Sequence, residues 1–374
     1  MNLAINSILV LNVGSSSVKF QLFVADESLE LLASGKVFNI GGKPVFAARV
    51  DEGPSESLSL AENMDQRQAV EYIFNWIEHH ECQWKILTVA HRIVHGGERY
   101  KHSVLITPDV IDYLKTLCPL APLHQPYNIA GVEYIYQLGK SVIQIACFDT
   151  AFHAGHEPLF TEYALPETIR QAGVRRYGFH GLSYEWISYY LDKHHSALNK
   201  DLIITAHLGN GASLCAMSGG RSVDTTMGLT ALDGLPMGTR CGSIDPGVIP
   251  YLVRHFGFSI EEVESLLYRE SGLKGLSGWT NDVQLLEKSE DKKAQFAIDF
   301  FCLKVAQYMA MMAISLGGVD HIIFTGGIGE NSMPVRKKIL DAIHFLPVRS
   351  VLVISANEEK MMALHSLAIL NKES

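Results

Sequence analysis

The six cysteines (Cys82, Cys118, Cys147, Cys215, Cys241 and Cys302) include no CxxC pair and no Cys/His spacing suited to zinc. A zinc module and a disulfide framework are therefore unexpected, and the mostly apolar neighbours of these cysteines read as reduced core positions in a reducing compartment. Positive charge is also short. Lys and Arg total 31 against 40 for Asp and Glu, and the net charge of −9 opposes non-specific attraction to nucleic acid or acidic lipid, so neither is an expected partner. No apolar run reaches the roughly 20 residues of a membrane span. The longest, residues 305–319, is broken by Gln307, Ser315 and Gly317-Gly318 and reads as a buried helix. The residues ahead of the strand-length apolar run 8–13 carry neither a basic stretch nor a small-residue cleavage site, so no export is expected and the expected compartment is the cytoplasm. A GxxxxGK[ST] loop is missing, as is a GxGxxG turn followed by an acidic residue at the dinucleotide distance. P-loop and Rossmann nucleotide folds are set aside on that ground.

What is present is a chain of 374 residues, 47% hydrophobic and 19% charged, long enough for two domains with separate cores. Strand-like runs at 8–11, 19–24, 88–90, 143–148, 202–206, 213–216 and 321–324 alternate with helical periodicity at 66–78 (apolar Ala69, Val70, Ile73, Phe74 and Ile77), 110–117, 182–191 and 294–316. That alternation predicts layered α/β domains. The polar, Gly-rich stretch 39–62 reads as a hairpin or surface excursion.

One internal echo carries more than propensity does. Leu9-Val10-Leu11-Asn12-Val13-Gly14-Ser15-Ser16-Ser17-Val18-Lys19-Phe20 runs strand, small polar turn, strand. So does Ile203-Ile204-Thr205-Ala206-His207-Leu208-Gly209-Asn210-Gly211-Ala212-Ser213-Leu214. Small turn residues let backbone N–H groups approach an anion closely. Two such hairpins half a chain apart point to a duplicated fold that grips a phosphate chain. A third cluster, Thr325-Gly326-Gly327-Ile328-Gly329-Glu330-Asn331, joins a strand to a helical pattern and suits a phosphate turn or any tight strand-to-helix connection.

Together with these hairpins, ordered motifs run along nearly the whole chain: Ala90-His91-Arg92-Ile93-Val94-His95-Gly96-Gly97-Glu98, Ala121-Pro122-Leu123-His124, Phe148-Asp149-Thr150-Ala151-Phe152-His153, Tyr177-Gly178-Phe179-His180-Gly181, Met237-Gly238-Thr239-Arg240 and Ile244-Asp245-Pro246-Gly247. With them the sequence resembles the acetate kinase family, the acetokinases of the sugar kinase/Hsp70/actin superfamily. The resemblance implies two duplicated ribonuclease H-like (actin-like ATPase) α/β domains with a nucleotide cleft between them. Residues 1–149 would form an acyl- and phosphate-binding domain, onto which a C-terminal helix 360–374 packs back, and residues 150–359 a nucleotide-binding domain. It implies ATP and ADP as co-substrates, Mg²⁺ (replaceable by Mn²⁺) as cofactor, acetate as acceptor and a homodimer, with propionate the alternative acceptor.

The resemblance also implies roles. Arg92 and Arg240 match the family's arginines, whose planar forks suit carboxylate and phosphoryl oxygens. His180 matches its transition-state stabiliser, Asn12 and Glu358 its metal site, and Ser17, Lys19, His207, Leu208, Gly209, Asn210 and Gly211 its phosphate hairpins. Asp282, Val283 and Gln284 with Gly327, Ile328, Gly329, Glu330 and Asn331 match its nucleotide region. Asp149 matches a catalytic aspartate. Acetate, with a pKa near that of a free Glu side chain, about 4.3, is already ionised at pH 7, so no base is needed and Asp149 reads as the residue orienting Arg92 or a metal-bound water. His124 is a candidate for supporting the site from behind. Val94, Leu123, Phe179 and Ala231 supply the apolar surface for a short alkyl tail.

The sequence departs from the family pattern at a few positions. Ala231-Leu232-Asp233 stands where relatives usually have Pro-Leu-Glu, Cys241 and Ser243 stand for Ser and Asp, Gln125 for Asn, and Gln284 for an Arg beside the base. Rival readings are weaker. A chaperone-like ATP switch needs a peptide-binding appendage, and a sugar kinase needs a base and polar groups for several hydroxyls.

Overall fold

The computed structural model describes residues 4–51, 53–80, 83–139 and 142–373; Cys82 lies outside the described residues. The chain forms two compact units, Met1–Ala151 with Asn357–Ser374, and Phe152–Ala356.

The first unit is built on an eight-stranded sheet of β1 (Ile5–Val13), β2 (Ser17–Val24), β3 (Leu31–Phe38), β4 (Val45–Val50), β5 (Glu56–Ser59), β6 (Trp84–Ile93), β7 (Val104–Leu105) and β8 (Ile143–Phe148), in the order β5-β4-β3-β2-β1-β6-β8-β7. β1 pairs parallel to β6 and β6 parallel to β8, whereas β1, β2 and β3 form an antiparallel meander. Period-two alternation sends Leu9, Leu11 and Val13 to one face. There they meet the apolar stripe of helix Gln66–Glu78, which Asp65 and Gln68 start with a reciprocal capping box. Ile8, Val10 and Asn12 point the other way, and helix Glu358–Glu373 packs against β1, β6 and β8. The 39–62 stretch contributes the hairpin β4–β5.

The second unit has a five-stranded sheet of β9 (Leu202–Leu208), β10 (Ala212–Ser218), β11 (Arg221–Thr225), β12 (His321–Thr325) and β13 (Ser350–Val353), ordered β11-β10-β9-β12-β13. β9–β10 and β10–β11 are antiparallel; β9–β12 and β12–β13 are parallel. This is the order and direction of β3-β2-β1-β6-β8, so the sequence echo marks a duplicated five-strand unit. Helix Lys292–Leu316 runs for 25 residues and begins two residues before the helical periodicity of 294–316. Among the described residues it is the one helix long and apolar enough to cross a membrane, yet Ala297, Phe301, Val305, Met309 and Met312 are buried inside the unit. Of the described cysteines, Cys147, Cys215 and Cys302 are buried, Cys118 and Cys241 half-buried, and all are free.

Candidate active site

Parallel strands carry their C-terminal ends to one edge of a sheet, the usual seat of ligand sites in α/β folds. In the first unit that edge collects Asn12 near the end of β1, Arg92 near the end of β6 and Asp149 just past β8. Arg92 Nε lies 3.1 and 3.2 Å from the two oxygens of Asp149, and Nη2 lies 3.0 Å from Oδ2. The arginine side chain is 21% exposed and the aspartate 4%. Burial alone would lower the Arg92 pKa, but the carboxylates of Asp149, Glu358 and Glu359 outweigh it and hold the guanidinium firmly charged. Glu359 is raised above the ordinary carboxylate range by burial and then by the charge of Glu358, with Arg92 and Lys19 opposing. The corner therefore holds three carboxylates against two cations.

The hairpin beside this corner closes with Gly14 N–H donating to Ser17 O at 2.9 Å, and Lys19 stands directly across from Asn12 on β2. Val94, just past the end of β6, and Leu123, just ahead of helix Gln125–Gln137, are half-buried. Asn128 braces the edge, accepting from Val94 N–H and donating to Val13 O, both at 3.0 Å. Gln125 grips the backbone of His95 from both sides. His124 is the residue at which helix Gln125–Gln137 starts.

In the second unit, His180 opens helix Gly181–His194 with a left-handed backbone, φ 59°. That conformation is costly outside glycine and turns the ring back toward the second hairpin. A Cβ built on Gly211 would come within 3.1 Å of His180 Nε2, so glycine is what leaves the hairpin room beside the ring. The ring stacks on His207, centroids 4.4 Å apart, and His207 Nδ1 meets Ser183 Oγ at 2.8 Å. Phe179 is buried, and its carbonyl accepts from His153 Nε2 at 3.0 Å. Burial pushes the pKa of His153 down to about 4 and that of His156 to about 3, so both stay neutral at pH 7.

Arg240 sits on a loop clamped by residues 267–273 through backbone bonds from Cys241, Ser271 and Leu273. Its Nη1 donates to the carbonyl of Ala231 at 3.0 Å and its guanidinium lies over the ring of Tyr268. Burial lowers its pKa, Tyr268 opposing, and among the described residues no carboxylate pairs with it. A half-buried cation of this kind is poised for an anion from outside the chain. Two of the departures from the family pattern meet here: Asp233 Oδ1 accepts from Ser243 Oγ at 2.5 Å, and Tyr308 donates to Ser243 at 2.7 Å, tying the Ala231 loop to the long helix.

A cleft of about 460 Å³ in the second unit is lined by Gly209, Asn210, Asn281, Asp282, Val283, Gln284, Glu287, Gly327, Ile328, Asn331 and Ser332. It brings the second hairpin, the third glycine cluster and the 281–287 segment to one cavity. Position 326 requires glycine on two counts: its φ is 77°, and a Cβ there would strike the backbone of Leu208.

Residues 7–364 match the model of the Acetokinase family. The chain belongs to the acetokinase family. It is 43% identical to an acetate kinase of Nitrobacter hamburgensis, an alignment covering 98% of this chain and 96% of that one. It is 44% identical to an acetate kinase of Deinococcus radiodurans over 95% and 89% of the two chains. Among solved structures it resembles a propionate kinase from Francisella tularensis (TM-score 0.91, 35% identity, 96% of this chain and 98% of that one). It also resembles the acetate kinase of Porphyromonas gingivalis (TM-score 0.88, 34% identity, 98% and 100%). The two sheets are those of the duplicated actin-like ATPase fold of these acetokinases, a family of carboxyl-group phosphotransferases that use ATP and ADP as co-substrates.

Not every residue singled out by sequence reaches the acetokinase cleft. Glu330 turns away from it: its carboxylate accepts from Gly326 N–H and Ala356 N–H, closing the glycine turn. Leu208 and Gly329 are buried beneath the turns, and Gly211 and His207 face the His180 ring. Conversely, Asn281, Glu287 and Ser332 line the cleft without having been singled out. Val283, Gln284 and Glu287 fall on one face of helix Val283–Lys288, a spacing that would have flagged Glu287.

Proposed function

We propose that this chain catalyses the reversible transfer of the ATP γ-phosphoryl group to acetate, giving acetyl phosphate and ADP by direct in-line displacement. The supporting observation is the pair of arginines. Arg92 is held rigidly by Asp149, and Arg240 is half-buried with no carboxylate partner among the described residues. Phosphoryl transfer asks for charge neutralisation more than covalent help, and an ionised acceptor needs no base. Asp149 thus orients Arg92, Arg240 takes phosphoryl or carboxylate oxygen, and His180 hydrogen-bonds the transferring group. The second-unit cleft takes the nucleotide, and Gly209 and Asn210 lie along its phosphates.

The residues present suit Mg²⁺. Asn12, Glu358 and Glu359 are hard oxygen donors, and the upward pull of Glu358 on Glu359 is the crowding a divalent cation relieves. Bound there, Mg²⁺ would neutralise phosphate charge. No three His, Cys, Asp or Glu side chains among the described residues are grouped to ligate one ion, which suits a metal carried in with the nucleotide. Activity is expected to vanish in excess chelator and return with Mg²⁺ or Mn²⁺; full activity in chelator would refute the assignment.

Gln284 lines the cleft where relatives carry Arg, removing a cation and a stacking plane from the base site. GTP or ITP is expected to replace ATP with modest loss. A preference for ATP above about a thousandfold, some 4 kcal/mol, would show that other groups read the base.

Acceptor choice turns on Ala231, which lacks the ring of the usual Pro and so frees space for about one methylene of an alkyl tail. Since one methylene is worth only about 1–3 kcal/mol, kcat/KM for acetate and propionate should differ by no more than roughly 200-fold. The test is a panel of acetate, propionate and butyrate with wild type and Ala231→Pro. Propionate use should fall relative to acetate in the variant, and an unchanged ratio would remove Ala231 from the pocket. The same reading places the protein in the cytoplasm as a homodimer. The exposed apolar row Phe296, Leu303 and Ile314 along the long helix supports self-association.

A further inference from the structure

Two buried histidines, His153 and His156, have no part in the chemistry above, yet the hydrogen bonds that tie them to the residue before His180 have fixed directions. A carbonyl oxygen only accepts, so the 3.0 Å contact of His153 Nε2 with Phe179 O puts the ring proton of His153 on Nε2. Burial keeps that ring neutral at pH 7, which leaves Nδ1 bare. Ser222 Oγ, 2.8 Å away on β11, therefore gives Nδ1 its one proton. His156 Nε2 lies 2.6 Å from the same oxygen, which has no proton left to give, so His156 is the donor there.

The loop these residues hold is strained. Gly178 and His180 are both left-handed, φ 78° and 59°, and the peptide joining Phe179 to His180 sets the plane from which His180 turns. Outside glycine such a backbone persists only where its surroundings over-determine it. Here the N–H groups of Tyr177 and Gly178 donate to Gly228 O, and a Cβ on Gly178 would come within 2.8 Å of the His153 ring. The turn leaves the His180 imidazole 2.9 Å from Ser213 Oγ and stacked on His207.

We propose that His153, oriented from behind by Ser222 and His156, is a positioning residue for His180: its Nε2–H holds the Phe179 carbonyl, and with it the peptide plane that aims the His180 ring. The catalytic consequence rests on the functional reading above, whereas the pose of the ring needs no substrate.

The test compares two amides at position 153. In His153→Gln the amide nitrogen reaches the place of Nε2 and still donates to Phe179 O; in His153→Asn it reaches only the place of Nδ1, and the carbonyl loses its donor. His153→Asn is expected to lower kcat by about 10–100-fold, the scale of a small misplacement of an active-site group, with both KM values within about threefold of wild type. His153→Gln should keep kcat within about fivefold of wild type. In a His180→Gln background, His153→Asn should cost less than about threefold more, because residues that act through one group are not additive. Proton NMR of the full chain at pH 7.5, with the His180 ring signals assigned by their loss in His180→Gln, should show those signals displaced by His153→Asn and unmoved by His153→Gln. Ser222→Ala, which lets the His153 ring turn, should act in the same direction as His153→Asn and replaces it if that variant does not fold. Equal losses from the two amides, additive losses in the His180→Gln background, or unmoved His180 signals in the folded variant overturn the proposal. Displaced signals in a chain that makes no acetyl phosphate would sustain the positioning and fault the functional reading alone.

Discussion

Replacing Arg240 by alanine is expected to reduce kcat for acetyl phosphate formation by at least about two orders of magnitude, the scale of losing one preorganised charge-stabilising group. The fold should survive. Arg240 makes no ion pair among the described residues, so its removal strands no carboxylate, and the Ala231 carbonyl it leaves lies in a half-buried loop that Asp233 and Ser243 still anchor. Steady-state kinetics beside a melting curve would check both halves. A soluble variant with near wild-type turnover would mean that this cation does not face the phosphoryl group.

Replacing Arg92 by alanine should cost as much activity and, unlike Arg240→Ala, stability as well. Asp149 is 4% exposed and takes three close contacts from Arg92. Removing the guanidinium leaves a buried carboxylate without that partner, a change worth about 3–5 kcal/mol for an uncompensated buried charge. Glu358 and Glu359 would lose a neighbouring cation at the same time. Arg92→Ala/Asp149→Ala should recover much of the stability and none of the turnover. Separating the two effects needs only denaturation and kinetics on the same preparations. An Arg92→Ala protein as stable as wild type would mean that the Asp149 pair carries little.

Why one pair is visible in the sequence and another is not has a physical reason. The duplicated hairpins were legible because glycine and small residues at a turn are demanded by local backbone geometry, and the structure returns them as the same five-strand order in both units. Helix Gln66–Glu78 was legible to the residue because one face is buried and a capping box starts it. Strand β6 was not: residues 88–90 marked only the centre of Trp84–Ile93, because a strand covered on both faces shows no alternation.

The candidate site divides in the same way. Residues at strand ends and glycine turns stood out, whereas the groups that brace them come from far away in sequence. Asn128 reaches Val13 across 115 residues, and Ser213 reaches His180 across 33. Glu359 adjoins Glu358 in sequence, but only its burial and its place among Arg92, Lys19 and Glu358 set it apart. The long helix was legible almost to its ends, 294–316 against Lys292–Leu316, because its apolar positions keep helical phase throughout.

Phosphoryl transfer to a carboxylate can be read from a count of the products. Purified full-length protein would be given acetate, ATP and Mg²⁺, with hydroxylamine to trap acyl phosphate and a parallel measurement of ADP and inorganic phosphate. One acetyl hydroxamate is expected for each ADP, with almost no inorganic phosphate beyond what the trapping reaction releases and no ADP when acetate is omitted. ADP and phosphate formed equally well without acetate, with no hydroxamate, would contradict transfer to a carboxylate and make the protein a nucleotide-hydrolysing switch built on the same fold.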